Sequence, residues 1–240
     1  MMVSKWVAAM ATAAVAVSVA VPAMAGPFKK PEISKPDLKK PDTSSMECND
    51  DKGVEQLGKD MDDKAYDALV SSNEALASMQ DAAGKKDEAK KTRDSGKSWT
   101  KENAPSGVAR IKEINRINDS LQTGADWMQK QEKYDDTAKN ALKESRSALR
   151  KAVLKVAWGA KIGEPVPGKS KEAIEGSAAC TKKVKGAADA AAGIATLLGS
   201  MKKTYSAVDA AAKKAGNGDL TAEEKAKQDS ESGVPSGLGV

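Results

Sequence analysis

The chain has 240 residues, a formal net charge of +5 and no histidine. Hydrophobic residues make up 40% and aromatic ones 3%, so a core must be assembled from Ala, Leu, Val, Ile and Met, which favours close helix contacts over a large globular interior. The missing histidine excludes Ser/His/Asp and Cys/His nucleophile arrangements, H-E-x-x-H metal sites and c-type haem attachment, and a charge this small and mixed in sign names neither nucleic acid nor membrane as partner.

Residues 1–25 read as an export signal: Lys5 is the positive n-region, Val7 to Val21 the apolar run, and Ala23-Met24-Ala25 an A-x-A cleavage site with the cut after Ala25. Removing Lys5 leaves +4. The alternative, a membrane anchor, lacks the length of about 20 apolar residues and does not explain the small-residue ending. No cysteine stands at the cut to carry a lipid, and no later segment is apolar enough to span a bilayer. The expected location is periplasmic or extracellular.

Export changes how the cysteines are read. Cys48 and Cys180 are the only two, and in an oxidising compartment an isolated pair is expected to form a disulfide. Without histidine they cannot complete a four-ligand zinc site.

Residues 26–43 form a Lys/Pro-rich arm with a five-residue repeat, Lys30-Pro31-Glu32, Lys35-Pro36-Asp37, Lys40-Pro41-Asp42. Regular prolines block helix and sheet ladders, so the arm is expected to be disordered, extended and solvated. Lys29, Lys30, Lys35, Lys39 and Lys40 offer weak contact to an anionic surface, offset by Glu32, Asp37 and Asp42.

The predicted bundle occupies 44–216. Ser44-Ser45-Met46-Glu47 matches a capping box, with Asn49-Asp50-Asp51 as a competing start, and a helix is expected to about Arg93 on the stripe Val54, Leu57, Met61, Ala65, Leu69, Leu76, Met79 and Ala83. Lys90, Lys91 and Arg93 suit its C-terminal dipole, and Asp94-Ser95-Gly96 stops it. Trp99, in the following connection, is expected to fold over the end of the bundle.

From Ser106 to Trp158 no proline interrupts, and the spacing predicts one long helix. Its stripes run through Val108, Ile111, Ile114, Leu121, Ala125 and Met128, then Ala138, Leu142, Ser145, Leu149, Ala152 and Val156. The polar layer from Gln129 to Asp136 interrupts them, and a kink, a hydrated gap, a ligand notch or simple tolerance of one weak layer would each produce it. Trp127 and Tyr134 beside it are the best candidates for a small-molecule contact, although aromatic packing explains them as well.

Gly159 to Ser170, rich in Gly and Pro, predicts a break. A third helix is expected from the N-cap Ser170, on the stripe Ile174, Thr181, Val184, Ala188, Ala191, Ala195, Leu198, Tyr205, Val208 and Ala212, ending at Gly216-Asn217-Gly218. Three such helices, each about 70 to 80 Å if straight, make an all-α, elongated antiparallel bundle running up, down, up, with allowance for breaks into more helices. The first and third helices then begin at the same end, where Cys48 and Cys180 fall. The tail, 217–240, is expected to be flexible, with a short helix at the Thr221-Ala222-Glu223-Glu224 capping box.

No G-x-S-x-G and no phosphate-binding G-x-x-x-x-G-K-S/T occurs, and no catalytic residue, cofactor or metal site is assigned. Asp62-Asp63 and Asp135-Asp136 read as solvated faces. Asn217 to Glu224 resembles the second half of an EF-hand loop, but Lys213 and Ala215 would occupy ligand positions one and three. The reading is a non-enzymatic exported bundle acting through protein or surface interaction, as an envelope structural, adaptor or chaperone-like protein, with another envelope or extracellular protein as partner and no specific nucleic acid. The alternative is a small-ligand binding or sensing bundle using Trp127 and Tyr134; an enzyme has no motif behind it.

Overall fold

Asp51 opens the first helix. In the computed structural model, which describes residues 48–235, its carboxylate accepts hydrogen bonds from the amides of Gly53 (3.0 Å) and Glu55 (3.1 Å), and helix α1 runs Val54–Ala82. The Asn49-Asp50-Asp51 cluster is thus the start in use. The Ser44 capping box, the export signal and the Lys/Pro arm lie outside the described residues.

The chain is all-α, and no β-strand occurs among the described residues. After α1 come α2 (Lys86–Ser98), α3 (Gly107–Met128), α4 (Asp136–Gly163), α5 (Val166–Gly176), a 3-10 turn at Ala178–Cys180, α6 (Thr181–Lys214) and α7 (Ala222–Ser232). Each of the three long helices expected from the sequence is therefore divided.

The first division is a Schellman turn. Gly84 takes φ +74, the Gly84 amide donates to Asp81 O (2.9 Å) and the Lys85 amide to Gln80 O (2.8 Å), so α1 ends with its stripe, at Ala82, rather than continuing to about Arg93. α2 then doubles back along α1: Asn73 Nδ2 donates to Thr92 O (2.7 Å), Arg93 pairs with Asp81 (2.5 Å), and Tyr66 Oη donates to Trp99 O (3.1 Å). Trp99 is half-buried and packs on the core beside Tyr66, near the middle of α1 rather than over the end of the bundle.

The second division falls in the polar layer from Gln129 to Asp136. Asp135 caps α4 by accepting from the Ala138 amide (2.7 Å), and Tyr134 Oη donates to Met128 O (2.5 Å) across the turn. Gln129 Nε2 donates to Ala207 O (2.9 Å), and Lys214 Nζ donates to Gln129 O, which fastens the turn to the end of α6. The layer is a full reversal.

The third expected helix is displaced as well as divided. The break from Gly159 to Ser170 shrinks to Glu164-Pro165, because α4 continues to Gly163 and α5 accepts Pro167 within its first turn, where no intrahelical amide is lost. Ser170 is consequently not an N-cap but a buried residue inside α5. On α6 the buried face keeps Val184, Ala191, Val208 and Ala212 of the expected stripe and adds Ala187, Ile194, Leu197, Met201, Thr204 and Ala211, while Thr181 and Ala195, with Ile174 on α5, are exposed. Alanine on every side of this helix leaves the stripe free to slide by a residue or two, and the larger Ile194, Leu197 and Met201 decide where it settles.

Contacts fix the directions. Ser145 Oγ donates to Ala75 O (2.8 Å) and Lys155 approaches Asp67 (3.4 Å), so α1 and α4 are antiparallel; Arg146 pairs with Asp209 (3.2 Å) while Gly163 lies against Ala191, so α4 and α6 are antiparallel too. Asn118 Nδ2 donates to Ser200 Oγ (2.8 Å), and with Gln129 on Ala207 this sets α3 parallel to α6. The α2–α3 connection is held by Asp62, which accepts from the Gly107 amide (2.9 Å) and pairs with the buried Arg110 (2.9 Å). Asp62 is thus an inter-helix anchor rather than part of a solvated face. Cys48 and Cys180 are joined, with sulfurs 1.99 Å apart, at the starts of α1 and α6.

The core is a single cluster, mainly of Ala, Leu, Ile, Val and Met, drawn from α1, α3, α4 and α6, with Val166 and Ala173 added by α5. Of the expected apolar positions on the central segment, Val108 is the exception, 45% exposed at the start of α3. A Cβ at Gly163 would lie 2.8 Å from Met61 Sδ and 3.3 Å from Ala191 Cβ, where α1, α4 and α6 converge. Gly163→Val is expected to cost about 1–3 kcal/mol of stability by overpacking, measured by urea unfolding with the disulfide intact. Replacing both cysteines by serine, which opens a link spanning 132 residues, should lower stability by up to about 5 kcal/mol in the chain-entropy account; an unchanged unfolding midpoint would contradict it.

Candidate interaction surface

Helix α4 carries seven basic side chains against two acidic ones, and α7 carries four acidic against two basic. The two helices lie side by side and run in the same direction, with Lys143 to Glu224 (3.2 Å), Ser147 to Gln228 (3.0 Å), Arg150 to Asp229 (2.6 Å) and Lys151 to Glu231 (2.6 Å) as successive rungs. Positions 143, 147, 150 and 151 recur at helical spacing and share one edge of α4.

α7 forms because its start is capped: Thr221 Oγ1 accepts from the Glu224 amide (3.1 Å) and the Glu224 carboxylate accepts from the Thr221 amide (3.0 Å). Gly233, at φ +60, ends it. The capping box expected from the sequence is present, but the segment is not a free tail. It returns along α4.

Two arginines lie beneath. Arg146, 2% exposed, donates from Nη1 to Gly218 O (2.8 Å) and pairs with Asp209, while its Nε has no hydrogen-bond partner among the described residues. Arg150, 4% exposed, directs Nη1 at Asp229, at Gln228 Oε1 (3.4 Å) and at Lys225 O (3.4 Å). Every hydrogen-bond partner of the Arg150 guanidinium among the described residues belongs to α7. A cleft of about 210 Å³ between the helices is lined by Lys143, Ser147, Leu220, Glu224 and Lys227, among others.

Electrostatics favour the charged forms along this seam. The backbone amide of Thr221, then Lys143, hold the Glu224 carboxyl below its ordinary range; Lys151 does the same for Glu231, and Lys213 for Asp219. Asp219 and Asp209 in turn hold Lys213 well above the usual ammonium range.

The aromatic residues singled out from the sequence are elsewhere. Trp127 is 47% exposed near the end of α3, Tyr134 is half-buried and spent on the α3–α4 turn, with burial raising the pKa of its hydroxyl, and Trp99 packs on the core just after α2. Trp127 and Tyr134 flank the same turn, and none of the three lines the cleft. The residues resembling an EF-hand loop are each otherwise engaged: Asn217 Nδ2 donates to Lys139 O (2.7 Å), Gly218 O accepts from Arg146, Asp219 pairs with Lys213 (2.6 Å) and Glu224 caps α7. Asp135 caps α4, leaving Asp136 paired with Lys139 at the exposed surface.

The basic edge of α4 was not singled out in the sequence, where Arg146 and Arg150 stand beside the apolar stripe at Ser145 and Leu149 and match no motif. The signal that would have found it is the opposite charge balance of 136–163 and 222–232. Compared with models of known protein families, with curated proteins and with solved structures, the chain matches none.

The depressed carboxyls give docking a pH dependence of known sign. A carboxylate whose folded-state value is lowered adds stability that is fully present above its ordinary value and is lost as pH falls through the lowered one. Protection of the α7 amides against hydrogen exchange, taken relative to the intrinsic rate at each pH, should therefore fall selectively on acidification below about pH 4.5, the ordinary Glu value, while α1 and α4 amides keep their protection. Equal loss across all helices would show that α7 does not open separately.

Proposed function

We propose that this is an exported, non-enzymatic helical-bundle protein that acts by contact with another protein of the cell envelope or exterior. The observation that carries the reading is the seating of acidic α7 on the basic edge of α4, a helix held by complementary charge and spacing. A surface that holds one helix in this way has the chemistry to hold others. Export is supported by the leader-like residues 1–25 together with the Cys48–Cys180 bridge, a bond that persists in oxidising compartments. The Lys/Pro arm would serve as a spacer between the membrane exit and the bundle, with Lys29, Lys30, Lys35, Lys39 and Lys40 giving weak attraction to anionic surfaces.

In-cell crosslinking with mass spectrometry, using photoreactive probes in the arm and on α4, is expected to capture a defined envelope or extracellular protein through the bundle. N-terminal sequencing of the same material should begin at Gly26. Capture of no partner from either position, or recovery of an uncut chain from the cytoplasm, would refute the reading.

A further inference from the structure

α7 is a weakly attached occupant of its seat. Its apolar side chains are only Ala222 and Ala226, and the residues it buries, Gln228 and Ser232, are polar. Helices of 11 residues are marginal on their own, so α7 depends on docking for its order. That docking consists largely of ion pairs with exposed members, the kind that contribute least and are screened by salt. The connection from α6 is short and is held to the bundle by contacts that do not involve α7 itself, Asn217 on Lys139 O, Gly218 O on Arg146 and Asp219 on Lys213, so it stays in place as a tether when α7 leaves.

The seat itself is well made. Removing α7 would leave Arg150 without a single one of its hydrogen-bond partners among the described residues and would take from Lys143, Ser147 and Lys151 their partners Glu224, Gln228 and Glu231, on a helix packed into the core. A bare guanidinium on such an edge selects a carboxylate, and a row of basic groups at helical spacing selects carboxylates presented at the same spacing. From this geometry we propose that α7 is a releasable occupant of a docking groove on α4, and that an acidic helical segment of a partner protein takes its place there. The occupant is a helix because the groove already holds one, and it is acidic because α4 is basic along the contact. α7 then acts as an internal competitor that sets the threshold for binding. This rests on the interaction reading above and names the surface for it.

The test uses the full, disulfide-bonded chain and two fluorescent peptides: one with the sequence of residues 219–235, and one with carboxylates at the same spacing on an otherwise alanine background. Binding is followed by anisotropy for the parent chain and for the variant Glu224→Gln/Asp229→Asn/Glu231→Gln, in which α7 is loosened; helix content and the disulfide are checked in each. Both peptides are expected to bind the loosened variant about tenfold or more tightly than the parent, because apparent affinity scales with the fraction of open groove. Binding should weaken with salt and disappear when Lys143→Glu and Lys151→Glu are added. Equal affinity for parent and loosened chains, or indifference to the charge reversals, would overturn the proposal. Binding of the own-sequence peptide alone would assign the groove to α7 only, and a dimer formed by exchange of α7 would assign it to a second copy; either overturns the partner assignment. None of these failures bears on whether the chain is exported or crosslinks elsewhere, so the broader reading is judged separately.

Discussion

A core without aromatic side chains has to be made by bringing helix backbones close together. Only 3% of this sequence is Phe, Trp or Tyr, and the buried cluster is largely alanine with leucine, isoleucine, valine and methionine. An alanine face gives little area per residue, so stability depends on many short-range contacts along long seams. The α1–α4 seam is the most extensive, with α6 and α3 packed against its flanks. Dividing the expected long helices into hairpins serves the same need, since each reversal brings another helix alongside rather than extending a thin rod. The packing at Gly163, with Met61 on one side and Ala191 on the other, is where this requirement is most local.

The all-α class and the buried faces of α1, α3 and α4 were readable from hydrophobic spacing, because those stripes carry residues large enough to have one preferred side. The reversals were not. Gly84, directly after Ala83 at the end of the expected stripe, makes the same stop as Gly216, whose following amide donates to Ala212 O (3.0 Å) as Lys85 does to Gln80, but unlike Gly216-Asn217-Gly218 it stands alone between residues that favour helix. The Gln129 to Asp136 layer was recognised as weak without being seen as a turn. On α6 the alanines erased the distinction between faces. The disulfide was nevertheless placed correctly, since two unforeseen reversals, α1 to α2 and α3 to α4, cancel and leave α1 and α6 pointing the same way.

The polar features were harder to read than the apolar ones for a physical reason. Hydrophobic burial is declared by a residue's own type, whereas the place of a charge is declared by its partner, and the partners here are far away in sequence: Asp62 with Arg110, Arg146 with Gly218, Arg150 with Asp229. A solvated carboxylate and an inter-helix anchor look alike until the packing is known. The capping box at Thr221 was legible because all its atoms lie within four residues; the seat that receives the capped helix was not.

The two ends of the bundle are closed by different means. At the starts of α1 and α6 the Cys48–Cys180 bond ties the helices covalently, and Lys183 pairs with Glu55 (3.2 Å) beside it. Toward the opposite end, the α3–α4 turn is clasped to α6, the α6–α7 connection lies on Arg146 and α7 on Arg150, and the contacts of α7 itself are hydrogen bonds and ion pairs. Local opening is cheapest where apolar contact is sparse and polar contact is near solvent. A covalent lock at one end lets the other remain loosely closed without risking the fold, since α1, α4 and α6 keep their core when α7 lifts. The distribution of stability in this molecule therefore runs from the disulfide toward the C-terminal helix, and a surface that must be uncovered to work is placed at the weak end of that gradient.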